Sequence, residues 1–411
     1  MLFIPRTPED WVVWFGILVL ASGLTFVHLG VLLARRALLK LRGRRWRDVP
    51  SDFFVAGAPP REPTIAFLVA VYNDALTIGP CVESILAQSR PLDQIVVVDD
   101  GSTDGTPAVL DTFRSRGVTV LRMPRNGGKT AAIEEGLRHV RTELVAITDA
   151  DSLVHRDYVK EIIPSFEDPE VAGVGGAVES LPHSWVTAAR SVEYMITLRL
   201  DRTAEDAMDS LLVLPGVSST YRRRVLVRMG FEHDTIAEDF DLTFRMQRAG
   251  HKLTMNRRAV VYTSDPPTLR SYHRQLTRWY TDLWITVRKH RGMLGRRLFG
   301  AVEVPLLVVN LWVYSVLILA APLYFLLFDP GRLVSFLFWE LVMDVAFVAL
   351  ALRVYGRPHV LWGLLSRYPT RLIARWVTLV TFFRVAVGRP GMAWTKLERR
   401  ATAGLLHAAS R

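Results

Sequence analysis

The stretch Gln94-Ile-Val-Val-Val-Asp-Asp-Gly-Ser102 decides the fold of this 411-residue chain. Four consecutive β-branched residues predict a buried parallel strand, and the strand ends at the paired acids Asp99 and Asp100. Upstream, Ile65–Val71 is an apolar run of strand length, and Ala75–Ala87 has the apolar period of a helix. This alternation of strand and helix predicts an α/β domain with a mostly parallel sheet.

A second predicted strand, Leu144–Thr148, ends in the same way at Asp149-Ala150-Asp151. Ligands of such sheets bind at the carboxyl ends of the strands, where both acidic pairs lie. One carboxylate of an Asp-x-Asp pair can reach a divalent cation while the other contacts a ribose or a sugar. Oxygen ligands favour Mg²⁺ or Mn²⁺. Alone, an Asp-x-Asp pair can equally be a turn at a strand end.

A glycine pair precedes a predicted helix in Asn126-Gly-Gly-Lys129, followed by Thr130–His139. Glycines at a helix start let backbone amides approach an anion, and the Lys129 charge suits a diphosphate. The plainer alternative is a turn that leads into the helix.

The segment Ile236-Ala-Glu-Asp-Phe-Asp-Leu242 opens another predicted helix, which runs to Ala249 and is capped by Gly250. Glu238 and Asp239 at its start are stabilised by the helix dipole, and that role alone explains acids at this position. The functional alternative is a general base, for which Asp239 is the better candidate of the two.

Residues Ser271–His290 predict an amphipathic helix. Its apolar face comprises Tyr272, Leu276, Trp279, Tyr280, Leu283, Trp284 and Val287. Such a helix before an apolar segment predicts a position in the membrane interface, with packing on the soluble domain as the alternative. Gln275 and Arg278 are three residues apart, so both can reach one ligand, and Arg278 suits a diphosphate.

Apolar and charged residues are segregated along the chain, which is 50% hydrophobic and 22% charged. Trp11–Ala34 is long enough to cross a bilayer, and seven Lys or Arg residues follow it between Arg35 and Arg47. Because acids precede this run and bases follow it, we expect a retained anchor with the following domain in the cytoplasm. The placement of the basic residues favours lipid headgroups over nucleic acid as the reason for the net charge of +11.

Two further spans are predicted at Val302–Phe328 and Leu333–Leu352, while 359–388 could span, re-enter or lie in the interface. Glu340 and Asp344 share one helix face inside the second span. They could serve a function at that depth, or pair with Arg375 or Arg384 to join helices. The single cysteine, Cys81, suits a reducing compartment.

Together these motifs resemble the inverting family 2 glycosyltransferases of GT-A fold, especially the membrane-integrated synthases. Six motifs occur in the family order: Tyr72-Asn-Asp74, Asp99-Asp-Gly-Ser102, Gly128-Lys129, Asp149-Ala-Asp151, Glu238-Asp239 and Gln275-Leu-Thr-Arg-Trp279. The last matches the family's QxxRW signature. The chain departs from the pattern at Ala237, Glu134 and Asp282, none of which removes a catalytic group.

The resemblance implies a role for each motif. The residues implied in donor binding are Tyr72, Asp74, Asp99, Asp100, Lys129, Asp149 and Glu238. Asp151 would bind the metal ion and Asp239 would be the catalytic base. Gln275 and Arg278 would close over the diphosphate, and the Trp279 ring would place the acceptor sugar.

The expected organisation has six parts: a transmembrane anchor (1–34), a basic cytoplasmic linker (35–62), a GT-A domain (63–270), an interfacial helix (271–298), transmembrane and interfacial helices (299–390) and a basic tail (391–411). The expected protein is a multi-pass protein of the inner or plasma membrane with a cytoplasmic catalytic domain. Its expected partners are a UDP-sugar and a glycan or lipid acceptor, and not nucleic acid, while an accessory subunit is left open. A processive polysaccharide synthase is the first hypothesis, and a transferase that adds one sugar to a lipid is the alternative.

Overall fold

The computed structural model describes residues 28, 30, 31, 33, 34, 62–181, 183–235, 237–355 and 363–389. The chain divides into two compact units. The helical unit comprises Met1–Leu38, Pro182–Met208 and Asp265–Glu398, and the sheet unit comprises Leu39–Leu181, Asp209–Ser264 and Arg399–Arg411. Segment 182–208, which lies inside the predicted 63–270 domain, is therefore part of the helical unit.

The sheet unit is built on one eight-stranded sheet with the order β3-β2-β1-β4-β7-β6-β8-β5. The strands are β1 (Ile65–Val71), β2 (Gln94–Asp99), β3 (Val118–Arg122), β4 (Leu144–Asp149), β5 (Ser152–Val154), β6 (Val171–Ser180), β7 (Ser219–Arg222) and β8 (Lys252–Thr263). Strands β3, β2, β1 and β4 are parallel neighbours, whereas β7 is antiparallel to both β4 and β6. Strand β8 is parallel to β6 and antiparallel to β5.

Helices cover both faces of this sheet. They are Ile78–Leu86, Thr106–Arg114, Lys129–His139, Tyr158–Ile162, Arg223–Met229 and Glu238–Ala249, with a 3-10 turn at Ile163–Phe166. Successive residues of β1 alternate between two buried clusters, with Phe67 and Val69 in one and Ala66 and Leu68 in the other. A strand that is apolar on both faces is thus explained by burial on both sides.

The predicted α/β architecture is confirmed, and the predicted parallel arrangement is found for strands β1, β2 and β4. Strand β1 has its predicted bounds, and β2 and β4 each extend one residue further, to Asp99 and Asp149. The expectation of a mostly parallel sheet is wrong for the second half, which is mixed. Strand β7 has only four residues, too few for its direction to be read from the sequence.

The helical unit contains the remaining helices that the structure describes. These are Trp185–Tyr194, Arg202–Ala207, Leu269–Lys289, Val304–Val309, Ser315–Phe328, Pro330–Tyr355 and Leu364–Ala386, with a 3-10 turn at Arg291–Met293. Three π-helical segments join or extend them, at Met195–Asp201, Phe299–Glu303 and Asn310–Tyr314. Ser184 and Thr268 form capping boxes at the starts of two helices, and these fix where the helices begin.

Among the described residues, one continuous helical run, Phe299–Phe328, is long and apolar enough to cross a membrane by length and composition, with a mean hydropathy of 2.2. It contains the predicted span Val302–Phe328. The predicted span Leu333–Leu352 is helical within Pro330–Tyr355, and its crossing of a membrane stays a prediction. Most of Trp11–Ala34 and all of the segments 35–61 and 390–411 lie outside the described residues.

Glu340 and Asp344 are buried among basic residues, as the pairing alternative expected, but the partners differ from those predicted. Arg371 contacts both acids, at 2.7 Å from Glu340 Oε2 and 3.1 Å from Asp344 Oδ1. Arg367 is 2.7 Å from Asp344 Oδ1. The prediction of Arg375 or Arg384 was wrong because the rotation of the partner helix, which decides the face that meets the acids, cannot be read from spacing alone.

The apolar face of Leu269–Lys289 is covered by protein. Tyr272 and Leu276 pack with Ala374 and Val377 of the Leu364–Ala386 helix, and Trp284 donates its indole N–H to the Thr378 carbonyl at 3.1 Å. These residues contact another helix of the same unit, and the position of the helix in the membrane interface stays a prediction. Helical periodicity shows that a face is buried, but it does not show what buries it.

Candidate active site

The carboxyl ends of β2, β1 and β4 lie side by side, because β1 is the middle strand of the three. Asn73, two residues after the end of β1, has a φ of 51° and accepts from the Thr103 backbone N–H at 2.7 Å. Its own N–H donates to Ser102 Oγ at 2.9 Å. These bonds tie the Tyr72-Asn-Asp74 motif to the loop that follows β2, so two predicted motifs meet at one edge.

Asp100 holds the glycine loop in front of Lys129. Its two carboxylate oxygens accept from the Gly127 and Gly128 backbone N–H groups at 2.7 and 2.8 Å. Gly128 has a φ of 89°, which a side chain would disfavour. Burial raises the pKa of Asp100, although the two amides act in the opposite direction.

Asp99 is buried and shapes its own turn. Its Oδ1 accepts from the Ser102 backbone N–H at 2.9 Å, and its Oδ2 lies 3.5 Å from Arg122 Nε. Gly101 follows with a φ of 72°, and a Cβ on it would lie 2.7 Å from the backbone carbon of Arg125. The paired acids after β2 therefore organise two loops, which the sequence did not indicate.

Lys129 joins the acids of two separate motifs. Its Nζ lies 2.7 Å from Asp149 Oδ1 and 2.6 Å from Glu238 Oε1. Burial disfavours the ammonium charge, but the two carboxylates outweigh that effect and raise the pKa of Lys129. The Lys129–His139 helix thus presents its first side chain to the end of β4 and to the start of the Glu238–Ala249 helix.

Asp239 is partly buried beside this lysine and is held by backbone amides. Its Oδ2 accepts from the Gly216 N–H at 2.8 Å and its Oδ1 from its neighbour Phe240 at 2.9 Å. Burial and the adjacent Glu238 raise the pKa of Asp239 to about 6, although Lys129 and both amides act against the shift. A carboxylate with this pKa can accept a proton near neutral pH.

Gly216 is a site residue that the sequence analysis missed. A Cβ at this position would lie 3.1 Å from Asp239 Oδ2, so a side chain here would press on the carboxylate and the close approach of the loop favours glycine. The Pro215-Gly216 pair was a visible turn signal, but its contact with a residue 23 positions away was not.

Asp149 and Asp151 present oxygen ligands at the end of β4. Both side chains are half-buried, and Asp149 also contacts Lys129. Carboxylate oxygens with partial exposure suit Mg²⁺ or Mn²⁺ and do not suit soft metals. The donor set therefore fits the metal ion that was expected of Asp151.

The remaining predicted residues, Gln275, Arg278 and Trp279, belong to the helical unit. Gln275 is buried, and within the described part of the chain its Oε1 has no hydrogen-bond donor. The Trp279 ring lies 4.8 Å from the guanidinium carbon of Arg190, which is fully buried. Arg190 is a second residue that the sequence analysis missed, because it lies 89 positions before Trp279.

Two of the three departures from the family pattern have contacts that can be described. Glu134 contacts a histidine of the sheet unit. Its Oε2 lies 3.1 Å from His233 Nε2. Asp282 is buried in its helix, where it is 3.5 Å from the Thr286 hydroxyl. Neither contact involves a predicted site residue.

Comparison with known proteins identifies the sequence family of this chain. Residues 60–282 match the sequence family described as glycosyltransferase like family 2. An N-acetylglucosaminyltransferase of Azorhizobium caulinodans is 32% identical over 270 residues, which are 60% of this chain and 68% of that protein. A poly-beta-1,6-N-acetyl-D-glucosamine synthase of Staphylococcus aureus is 24% identical over 266 residues, 62% of this chain and 63% of the relative.

A solved structure shares the fold. The mannosyltransferase PcManGT of Pyrobaculum calidifontis, solved with GDP-Man and Mn²⁺, superposes with a TM-score of 0.55. It is 24% identical, and the match covers 88% of this chain and 99% of that one. The sheet unit therefore has a GT-A-like fold, and the family match covers more than half of the sequence. This chain belongs to the family 2 glycosyltransferases.

Proposed function

We propose that this protein transfers an N-acetylhexosamine or hexose from a UDP-sugar to an acceptor hydroxyl with inversion at the anomeric carbon. The observation that carries the proposal is the contact of Lys129 with Asp149 and Glu238, directly beside Asp239. One lysine thereby contacts an acid of the motif proposed to bind the donor and an acid of the motif that contains the proposed base. The family membership of the chain supports the same chemistry.

In the proposed reaction the acceptor hydroxyl attacks the anomeric carbon as the bond to the diphosphate oxygen breaks. The hydroxyl proton passes to the Asp239 carboxylate, and UDP leaves. A base is most effective when its pKa is near the working pH, and the pKa of Asp239, raised to about 6, meets that condition. The Gly216 and Phe240 amides hold the carboxylate in place.

The donor would be bound by the motifs at the strand ends. Asp151, with Asp149, would hold Mg²⁺ or Mn²⁺, which neutralises charge on the leaving diphosphate when bound. Tyr72, Asp74, Asp99 and Asp100 would contact the nucleotide directly or through the loops that they organise. Gln275 and Arg278 would contact the diphosphate and Trp279 the acceptor, as the resemblance implies.

We propose N-acetylglucosamine as the donor sugar and a polymer as the product, because one relative is an N-acetylglucosaminyltransferase and the other a poly-beta-1,6-N-acetyl-D-glucosamine synthase. The chain spans 63% of the length of the polymer synthase. The alternative is transfer of a single sugar to a membrane lipid. The proposed location is a multi-pass position in the inner or plasma membrane with the sheet unit in the cytoplasm, and an accessory subunit could take part.

A donor screen with product sizing tests the proposal. Full-length protein in proteoliposomes would receive radiolabelled UDP-GlcNAc, UDP-Glc, UDP-GlcA or UDP-Gal with Mg²⁺ or Mn²⁺. We expect a ladder of oligosaccharides from UDP-GlcNAc, which Asp239→Asn abolishes. A single labelled glycolipid would establish the alternative. Absence of UDP release from every donor, in protein that still binds UDP, would overturn the transferase proposal.

A matched control lies on the same helix. Asp241 is buried two positions after Asp239, and its Oδ2 lies 2.8 Å from Arg245 Nε. We expect Asp241→Asn to lower stability and to leave the product ladder in place. Loss of the ladder in both variants would show that a damaged helix, and not a missing base, explains the Asp239 result.

A further inference from the structure

A buried group of ionisable side chains in the helical unit includes none of the predicted site residues. His28, which is 0% exposed, has a carboxylate at each ring nitrogen. Its Nδ1 lies 3.1 Å from Asp201 Oδ1, and its Nε2 lies 3.1 Å from Glu303 Oε1. Glu205 completes the group and is 1% exposed. The proposed reaction uses none of these residues.

The group joins three segments that are far apart in the sequence. Asp201 and Glu303 are the last residues of two π-helical segments, Met195–Asp201 and Phe299–Glu303. A π-helical turn widens the helix and rotates the residues that follow, and such turns are frequent at functional sites. Two separate helices therefore deviate from α-helical geometry at the two residues that contact His28.

We infer that His28, Glu205 and Glu303 bind a divalent transition-metal ion. One ligand atom from each of the three lies within 4.8 Å of the other two. In a tetrahedral zinc site, with metal–ligand distances of about 2.0–2.2 Å, neighbouring ligand atoms are about 3.3 Å apart. The 3.1 Å between His28 Nε2 and Glu303 Oε1 is close to one such edge. A shift of the Glu205 side chain on metal binding would close the remaining separation.

The neighbours of these three residues are arranged like the outer shell of a metal site. A metal-bound histidine usually donates its other ring N–H to a carboxylate, which fixes the ring and makes the ligand more basic. Asp201 is placed for that bond at Nδ1. Arg202 binds Glu205 Oε2, so this carboxylate is also oriented by a hydrogen bond.

The ligand types restrict the ion. One imidazole and two carboxylates suit Zn²⁺, Mn²⁺ or Fe²⁺, and Zn²⁺ has the highest affinity of these for such a set. The ion would hold together the segments that carry residues 28, 205 and 303. Its role is therefore structural, and it shares no ligand with the site proposed at Asp151.

The experiment measures bound metal in protein that lacks the Asp151 site. Full-length Asp151→Asn protein, purified in detergent and dialysed against metal-free buffer, would be analysed for metal and then titrated with Zn²⁺ and Mn²⁺. We expect about one Zn²⁺ per chain, as three protein ligands form a single site. Adding Glu303→Gln or His28→Gln should remove it, and adding Asp201→Asn should weaken Zn²⁺ binding about 10- to 100-fold.

The control is Glu340→Gln in the same background, because Glu340 is also a buried acid of the helical unit and contacts Arg371. This variant should keep the zinc. The inference is overturned if the Asp151→Asn parent retains no metal and binds added Zn²⁺ no more tightly than its Glu303→Gln derivative. It is also overturned if Glu340→Gln loses as much zinc as Glu303→Gln. His28 would then bridge its two carboxylates as an imidazolium. Because the parent itself is titrated, the test does not depend on the folding of the His28 variant.

Discussion

Lys129 Nζ lies 2.6 Å from Glu238 Oε1, so the residue that follows the glycine pair is bound to the acidic pair of a helix 109 positions later. The same ammonium contacts Asp149 at 2.7 Å. Without it, two carboxylates would face each other beside Asp239 with no cation between them. The lysine therefore sets the charge of the site in addition to any contact with a diphosphate.

We expect Lys129→Met to reduce kcat/KM for the donor about 10- to 150-fold, which corresponds to about 1.5–3 kcal/mol for hydrogen bonds to charged groups. Lys129→Arg keeps the charge and should lose less. Initial rates of UDP release over a range of donor concentrations measure the effect. Equal losses in the two variants would contradict the electrostatic role and would indicate a requirement for the shape of lysine.

The raised pKa of Asp239 predicts how activity depends on pH. A base must be deprotonated, so kcat/KM should fall as the pH drops below about 6, the value to which burial and Glu238 raise the pKa of Asp239. Rates measured from pH 5 to pH 8 would show this acid limb. Asp241→Asn should keep the limb at the same pH, and a limb that moved in this control would assign the titration to another group.

The same pKa shift predicts that the contribution of Asp239 to stability falls as the pH rises, whereas activity rises. A carboxyl group whose pKa rises on folding contributes stability below its unfolded pKa, and that contribution is lost as the pH rises through the folded pKa. The window for Asp239 is thus from 3.8 to about 6. At pH 7.5, Asp239→Asn should be inactive and at least as stable as the wild type in thermal unfolding. A clear loss of stability would show that the amide contacts outweigh the charge.

The sequence predicted the parts of the site that depend on strand order. Parallel strands place their carboxyl ends at one edge, so Asp99, Asp149 and the acids after them were expected near each other. The partners of these acids were not predictable. Asp100 binds the amides of Gly127 and Gly128, and this contact depends on how a loop folds back over β2. Spacing also located the shared face of Glu340 and Asp344 without identifying the arginines that meet it.

Arg190 is predicted to position Trp279. Its guanidinium carbon lies 4.8 Å from the centre of the Trp279 ring and 5.4 Å from that of Tyr272, and Glu193 binds the same guanidinium at 2.6 Å. A buried cation–π contact contributes about 2 kcal/mol. If Trp279 contacts the acceptor sugar, as proposed, Arg190→Met should raise the acceptor KM about tenfold. The release of UDP from the donor without acceptor should change little. Arg190→Lys should restore part of the loss.

The control for this prediction is Arg222 of the sheet unit. Arg222 lies 5.4 Å from the Phe166 ring and donates to the Val171 carbonyl at 2.7 Å. Arg222→Met should lower the thermal stability and leave the acceptor KM unchanged. A similar rise in acceptor KM in both variants would mean that the Arg190 effect is general destabilisation.

Arg371 is predicted to stabilise the helical unit through its contacts with Glu340 and Asp344. Breaking a buried ion pair from one side costs about 3–5 kcal/mol, since a charge remains buried without its partner. We expect Arg371→Met to lower the thermal unfolding temperature in detergent. Adding Glu340→Gln should recover part of the loss, because it removes one of the two carboxylates left behind.

The matched control is Arg384, which is exposed on the same Leu364–Ala386 helix. Arg384→Met should change the unfolding temperature little, since an exposed arginine contributes little through charge. If Arg384→Met were the more damaging variant, Glu340 and Asp344 would depend on the partner that spacing first suggested. A double-mutant cycle of Arg367→Met with Asp344→Asn completes the test, because residues in contact should show a coupling of about 0.5–3 kcal/mol.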